Sequence, residues 1–301
     1  MNNNLPADRN IRMEKALLSL EGLSIGDAFG QTFFMPEEKA LKSIASRRIP
    51  DPPWYYTDDT AMAISIVETL SKFERIDRDY LAKAFARSYL NDPNRGYGAT
   101  ASKILREISQ GISWLEASSN AFSGMGSMGN GGSMRSGPIG AYFCDNYDRA
   151  VMEAKASSEV SHFHLEAQAG AIAVTVAAAY CARNEQFSNA IELFEIVVKF
   201  TPESETRSKI IRAKNIASQS KIESVISQLG NGTNLCAYDT VPIALWFAAF
   251  NLNNFTEAIW QAVSVLGDRD TICAIVGSIV ALAVGRERLP QIWLDRREEL
   301  S

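Results

Sequence analysis

The sequence predicts an all-α fold, and three observations carry that expectation. Apolar side chains recur with the 3.6-residue rhythm of a helix, as at Ile11, Ala16, Leu17, Leu20, Leu23 and Ile25. Two apolar runs, Ala169 to Tyr180 and Ile272 to Val284, read as buried helices and fall short of the ~20 residues that span a bilayer. Nowhere does apolar and polar alternation with hairpin punctuation support a sheet. At 301 residues and 46% hydrophobic content the chain is long enough for a substantial core, in one large domain or two, and no break between two is visible.

Taken in order, residues 11 to 29 form the first helix, with Gly22, Gly26 and Gly30 four apart on nearly one stripe. Such a stripe lets another helix or a ligand come close to the backbone. Met35 to Trp54, with four prolines and the pair Arg47-Arg48, reads as a loop. Helices follow at Asp58 to Phe73, Asp77 to Leu90, Ala99 to Gln110 and Ser113 to Phe122, the last opened by a capping box of Ser113 with Glu116. Leu165 to Arg183 is a long apolar helix, Thr201 to Gln228 is polar peripheral helix, Asn231 to Asn234 is a loop, and Val241 to Phe250 is again buried helix.

Chemistry concentrates at two acidic knots, Thr57-Asp58-Asp59-Thr60 and Gly267-Asp268-Arg269-Asp270-Thr271, each opening an apolar helix. Asp and Thr are favoured helix caps, and first-turn acids complement the helix dipole. Capping needs one side-chain oxygen per helix, however, and each start carries two carboxylates with flanking threonines. If the knots meet in space, four carboxylates carry a formal charge of −4, which two divalent ions would neutralise. Without metal, the same crowding would raise some of their pKa values.

Three further stretches stand out. Six glycines fall within Gly124 to Gly137, a density that suits a flexible linker or a loop whose N–H groups converge on an anion, with a helix starting near Pro138 behind it. Inserted Met and Arg residues favour the second reading. It matches neither the Walker nor the dinucleotide pattern. Ser161-His162-Phe163-His164 holds the only two histidines, with no third nitrogen or sulfur ligand at hand for zinc, so a hydrogen-bonding or stacking role beside a ligand is expected. Asp92 projects from the turn Asn91 to Gly98, where catalytic residues are often placed.

The net charge of −5 argues against nucleic-acid and anionic-membrane partners. The opening stretch Met1 to Pro6 is polar and lacks a secretory pattern. Cys144, Cys181, Cys236 and Cys273 are widely separated with no CxxC, so reduced thiols in a cytoplasmic protein are expected.

Thr57-Asp58-Asp59-Thr60, Gly126-Ser127-Met128-Gly129-Asn130-Gly131-Gly132-Ser133-Met134-Arg135, Ser161-His162-x-His164 and Gly267-Asp268-x-Asp270-Thr271 occur in the order and spacing of the ADP-ribosylglycohydrolase family, and Gly22-x-x-x-Gly26-Asp27-Ala28-Phe29-Gly30 resembles its first helix. The resemblance runs from about residue 15 to 295, and it implies one all-α domain, an orthogonal multi-helix bundle with a binuclear Mg²⁺ or Mn²⁺ centre in a central cleft. It makes Thr57, Asp58, Asp59, Asp268, Asp270 and Thr271 metal ligands. It gives Gly126, Ser127, Met128, Gly129, Asn130 and Gly131 the diphosphate of ADP-ribose, and His162 a ribose-side or phosphate-side contact. One departure stands out: Phe34 occupies the position where many members carry a Glu. With that carboxylate missing, Asp59, Asp268 and Asp92 are the candidate bases.

Three functions follow: hydrolysis of ADP-ribose from a protein side chain or small compound, binding of ADP-ribose or toxin neutralisation without catalysis, and metal-dependent phosphoester hydrolysis. A monomer is expected. The glycine loop adds an expectation of its own: Gly131→Val should block close approach of a diphosphate while leaving stability little changed.

Overall fold

The glycine stripe decides how the first helix packs. α1 (Arg9–Gln31) runs antiparallel to α17 (Arg269–Val284). A Cβ added at Gly22, Gly26 or Gly30 would stand 2.3, 2.1 or 2.5 Å from the carbonyl oxygen of Gly277, Cys273 or Arg269. Only residues without side chains permit that approach. The seam brings the second acidic knot, at the start of α17, beside the last turns of α1.

The computed structural model describes residues 8–184 and 187–300, and the reading of Met1 to Pro6 lies outside them. The described residues form eighteen α-helices and no strand, which is the expected fold class. After α1 come α2 (Glu37–Ala45), α3 (Asp58–Phe73), α4 (Arg78–Asn91), α5 (Ala99–Ser109), α6 (Trp114–Ser119) and the short α7 (Ala121–Gly124), α8 (Gly131–Met134) and α9 (Gly137–Tyr142). The second half holds α10 (Tyr147–Glu159), α11 (Leu165–Asn184), α12 (Ala190–Phe200), α13 (Glu205–Lys214), α14 (Ile222–Leu229), α15 (Ala237–Phe250) and α16 (Phe255–Val263), with α18 (Gln291–Leu294) after α17.

α11 is long and apolar enough to cross a membrane by composition, yet 89% of that window is buried against the surrounding helices. α9, α10, α12, α15 and α17 pack around it. Met35 to Trp54 is not wholly loop: it contains α2, a surface helix that buries only Ala40. The rest of that segment is held by an aromatic cluster in which Phe29 stacks on Trp293 at 4.5 Å and meets Trp54 and Trp260 edge-on. Ser113 caps α6 by accepting from the Glu116 N–H, as its spacing predicts.

Candidate active site

Three helices meet at the acidic site. Asp27, on the buried face of α1, accepts hydrogen bonds from the N–H and hydroxyl of Thr57 (2.9 and 2.8 Å) and of Thr60 (3.1 and 2.5 Å). It thereby fixes the first turn of α3 against α1. Thr57 is the N-cap of α3, accepting from the Asp59 N–H, which leaves Asp58 and Asp59 surplus to capping. At the start of α17, Asp268 sits in the N-cap position yet makes no side-chain cap bond. Its carboxylate accepts instead from the Asn130 side chain at 2.6 Å, tying the glycine loop to the second knot. Thr271 donates to Asp59 across the gap at 3.4 Å.

The two knots therefore come together, and carboxylate oxygens of Asp27, Asp59 and Asp270 lie within 4.8 Å of one another. Burial, then the charge of Asp270, pushes the Asp27 carboxyl up to about 7. Burial with the charges of Asp270 and Asp27 raises Asp58 to about 8, and burial with Asp268 raises Asp270 to about 8. Burial lifts Asp268 to about 6 against the pull of the Asn130 hydrogen bond, and burial with Asp27 puts Asp59 well above the carboxylate range.

Two oxygens decide whether a cation fits. Oδ1 of Asp59 and Oδ1 of Asp270 are buried without any hydrogen-bond donor. Buried polar atoms are normally paired, and orphaned carboxylate oxygens in a cluster of like charge match the donor set a hard divalent ion takes. Asp27 differs, since its oxygens already accept from four donor groups. It anchors α3, whereas Asp59 and Asp270 hold the open positions.

The cluster floors a cavity of about 480 Å³. Asp58, Asp59, Asp268, Asp270 and Thr271 line it at one end, and Gly126, Ser127, Met128, Gly129, Asn130, Gly131 and His162 form a wall. Thr57 lies behind the lining, bonded to Asp27. The loop is tighter than an open cradle: the Gly129 N–H is taken by the Ser127 hydroxyl and the Asn130 N–H by the Leu235 carbonyl. The expectation for Gly131 is corrected, because a Cβ there would meet the His162 ring at 2.5 Å, so Gly131→Val displaces the histidine and disturbs the fold locally as well as any ligand. The helix starting at Gly137 packs against Ser278 and Ser19 rather than facing the cavity.

Asp92 is placed elsewhere. It closes α4 with its side chain 48% exposed, pairs with Arg95 at 3.0 Å, and lies outside the cavity lining. Arg95 ties the first knot to the end of the chain. It bonds Glu298 and donates to the Tyr56 carbonyl at 2.8 Å, while its own carbonyl accepts from the Asp58 N–H at 2.7 Å. Phe34 is half exposed, its ring beneath the Arg269 guanidinium at 4.7 Å, and it too lies outside the lining. Of the histidines, only His162 reaches the cavity, while His164 Nδ1 accepts from the Glu166 N–H at the start of α11. Glu166 itself caps α13 by accepting from Glu205 and Thr206. All four cysteines are free thiols, and Cys236 lines the cavity.

Asp27 belongs to no acidic knot in the sequence, although a lone acid among Gly26, Ala28, Phe29 and Gly30 on an apolar face is a usable signal. The rest of the cavity lining includes Gly96, Ala99, Thr100, Phe122, Met125 and Leu235, which carry no distinctive chemistry to mark them in the sequence.

An all-helical frame that folds both acidic knots and a glycine loop around one cleft places the chain among the ADP-ribosylglycohydrolases, and the chain belongs to that family, whose model matches residues 8–301. It is 28% identical to ADP-ribosylhydrolase ARH3 of Homo sapiens over 91% of this chain and 86% of that protein. It is 24% identical to ADP-ribosylarginine hydrolase Tri1 of Serratia proteamaculans, over 94% and 75%. A solved structure titled an ADP-ribosylglycohydrolase-related protein complex shares the fold, with a TM-score of 0.67 at 22% identity over 96% of this chain and 94% of that one.

Proposed function

We propose that the protein is a divalent-cation-dependent hydrolase that cleaves the glycosidic bond between ADP-ribose and an acceptor, either a protein side chain such as arginine or a small ADP-ribosyl group carrier. The observation that carries this reading is the pair of orphaned oxygens on Asp59 and Asp270, buried beside a cavity walled by the glycine loop. With Asp58, Asp268, Thr57 and Thr271 they make an oxygen donor set suited to two Mg²⁺ or Mn²⁺. Such ions supply positive charge at ribose hydroxyls and lower the pKa of a bound water.

The chain's own residues do the rest. Asp27 and Arg95 hold the first knot in place from opposite sides, through the side chains of Thr57 and Thr60 and the backbone of Asp58. The glycine loop and His162 orient the diphosphate. Hydrolysis at the anomeric carbon passes through an oxocarbenium-like state and needs a base for the attacking water. Asp59 and Asp268 face the cavity and are the candidates for that proton. The family match over residues 8–301 supports one domain of this kind, with ADP-ribose or an ADP-ribosylated protein as partner; the net charge of −5 argues against nucleic acid.

Phe34 favours a second reading, an ADP-ribose-binding protein without turnover, since an exposed ring stands where relatives offer a carboxylate. Incubation with arginine-, serine- and nucleobase-linked ADP-ribose, with Mg²⁺ or with chelator, separates the readings. Free ADP-ribose that disappears on chelation is the expected product, and Phe34→Glu should raise its rate by no more than a few fold. Binding without release from any linkage, with activity gained in Phe34→Glu, replaces the hydrolase reading with the binding one. Phosphate as the product would point to phosphoester hydrolysis.

A further inference from the structure

Arg135 is fully buried behind the glycine loop, and among the described residues no carboxylate lies within ion-pair distance of it. Its Nη2 donates to the Ser157 carbonyl at 3.0 Å and to the Ser161 hydroxyl at 2.9 Å, and its guanidinium lies 4.4 Å from the centre of the Phe85 ring. Burying such a group is costly, so its contacts call for a reason. The second of them continues: the Ser161 hydroxyl lies 2.9 Å from His162 Nδ1.

The arrangement that satisfies every group on this path places the protons as follows. A guanidinium only donates, so the Ser161 oxygen accepts from Arg135. The single Ser161 proton has no other acceptor among its hydrogen bonds, so donation to His162 Nδ1 is the direction that leaves it satisfied. A neutral imidazole accepting at Nδ1 carries its own proton on Nε2. That nitrogen faces the loop, 3.2 and 2.7 Å from where a Cβ would stand on Gly129 and Gly131. The carbonyl of His162 accepts from the Ser158 hydroxyl at 3.0 Å, which fixes the backbone beneath the ring. Burial, then the Arg135 charge, drives His162 down to about 3, so the ring stays neutral.

We propose that Arg135, acting through Ser161, is a positioning residue that locks His162 in the Nε2–H tautomer and aims this N–H at an acceptor oxygen of a diphosphate in the cavity. The diphosphate rests on the functional reading above, whereas the tautomer does not. The relay also differs from long-range charge balance against the aspartates, which would need Arg135 but not Ser161.

Imidazole ¹⁵N NMR on the free protein reads the tautomer directly, because the chain has only two histidines and His162→Gln assigns the pair. The wild type should show His162 with an unprotonated Nδ1 and a protonated Nε2. Ser161→Ala, which leaves the Arg135 charge in place, should move both shifts toward a tautomer mixture and weaken ADP-ribose and ADP about tenfold each, the loss expected of one hydrogen bond. Adenosine, lacking the diphosphate, should bind the two proteins equally. His162→Gln should retain binding within about threefold through its amide N–H, and His162→Leu should not. Arg135→Met should reproduce the Ser161→Ala shifts if it folds. A protonated Nδ1 in the wild type, or unchanged shifts in Ser161→Ala, overturns the relay. A wild type with the expected shifts but no affinity for ADP-ribose or ADP refutes the diphosphate and with it the functional reading, while the relay stands.

Discussion

Four donors from one helix start converge on the carboxylate of Asp27. Leaving several of them unsatisfied in Asp27→Ala should cost on the order of 3 kcal/mol, read as a lowered thermal midpoint, and should weaken Mg²⁺ binding because Asp59 rides on the same turn. Asp92→Asn should leave turnover within about twofold, as expected of a partly exposed ion pair away from the cavity. At this scale the acidic knots were legible because their carboxylates outnumber the caps a helix needs. Asp27 was harder to see, since its neighbours announce helix packing, and the loop position of Asp92 did not disclose that its side chain pairs with Arg95 outside the cavity lining. The expectation that Gly131→Val spares stability fails on the His162 ring, which a Cβ there would meet at 2.5 Å.

Helix contacts without side chains tolerate little change. Gly26→Ala places a methyl 2.1 Å from the Cys273 carbonyl, so α1 and α17 must part. Overpacking of this kind costs roughly 1–3 kcal/mol or more, and the parting also moves Asp27 from Asp270. A fall in thermal midpoint together with a larger loss of Mg²⁺ affinity in calorimetry is the expected pair of results. A comparable Gly98→Ala, where nothing lies within 4 Å of the added carbon, should do neither. The seam was foreshadowed by the four-residue glycine spacing, though its partner was not. The sequence expectation lacks α2, hidden among prolines, and α10, α12 and α16, although α12 and α16 carry an amphipathic helical pattern of their own. α10, α12 and α16 each begin at an Asn whose side chain caps the helix, a signal available in Asn146, Asn189 and Asn254.

Across the whole molecule, the crowded carboxylates couple folding to pH. Asp27, Asp58, Asp268 and Asp270 hold protons in the folded state up to about 7, 8, 6 and 8, against an ordinary value of 3.8. Between those limits the native protein binds more protons than the unfolded chain, so metal-free stability falls as pH rises from about 4 to about 8. Binding of a divalent cation displaces those protons and should reverse the trend, with the Mg²⁺-induced rise in midpoint growing over the same window. Calorimetric scans with Mg²⁺ and with chelator, from about pH 5 to about pH 8, check both slopes. Proton release on Mg²⁺ addition, seen as a buffer-dependent binding enthalpy, checks the cause.

The seam between α1 and α17 also sets an order of events at the ribosome. α1 and the first knot emerge early, and until α17 follows, the stripe of Gly22, Gly26 and Gly30 has no carbonyl row to lie against. Domains generally fold as units, and a nascent chain that already carries the glycine loop and His162 still lacks Asp268 and Asp270 and cannot close the cluster. The cleft therefore assembles only on chains that have been read through to their last long helix, which brings both the carbonyl row for the glycine stripe and half of the acidic cluster.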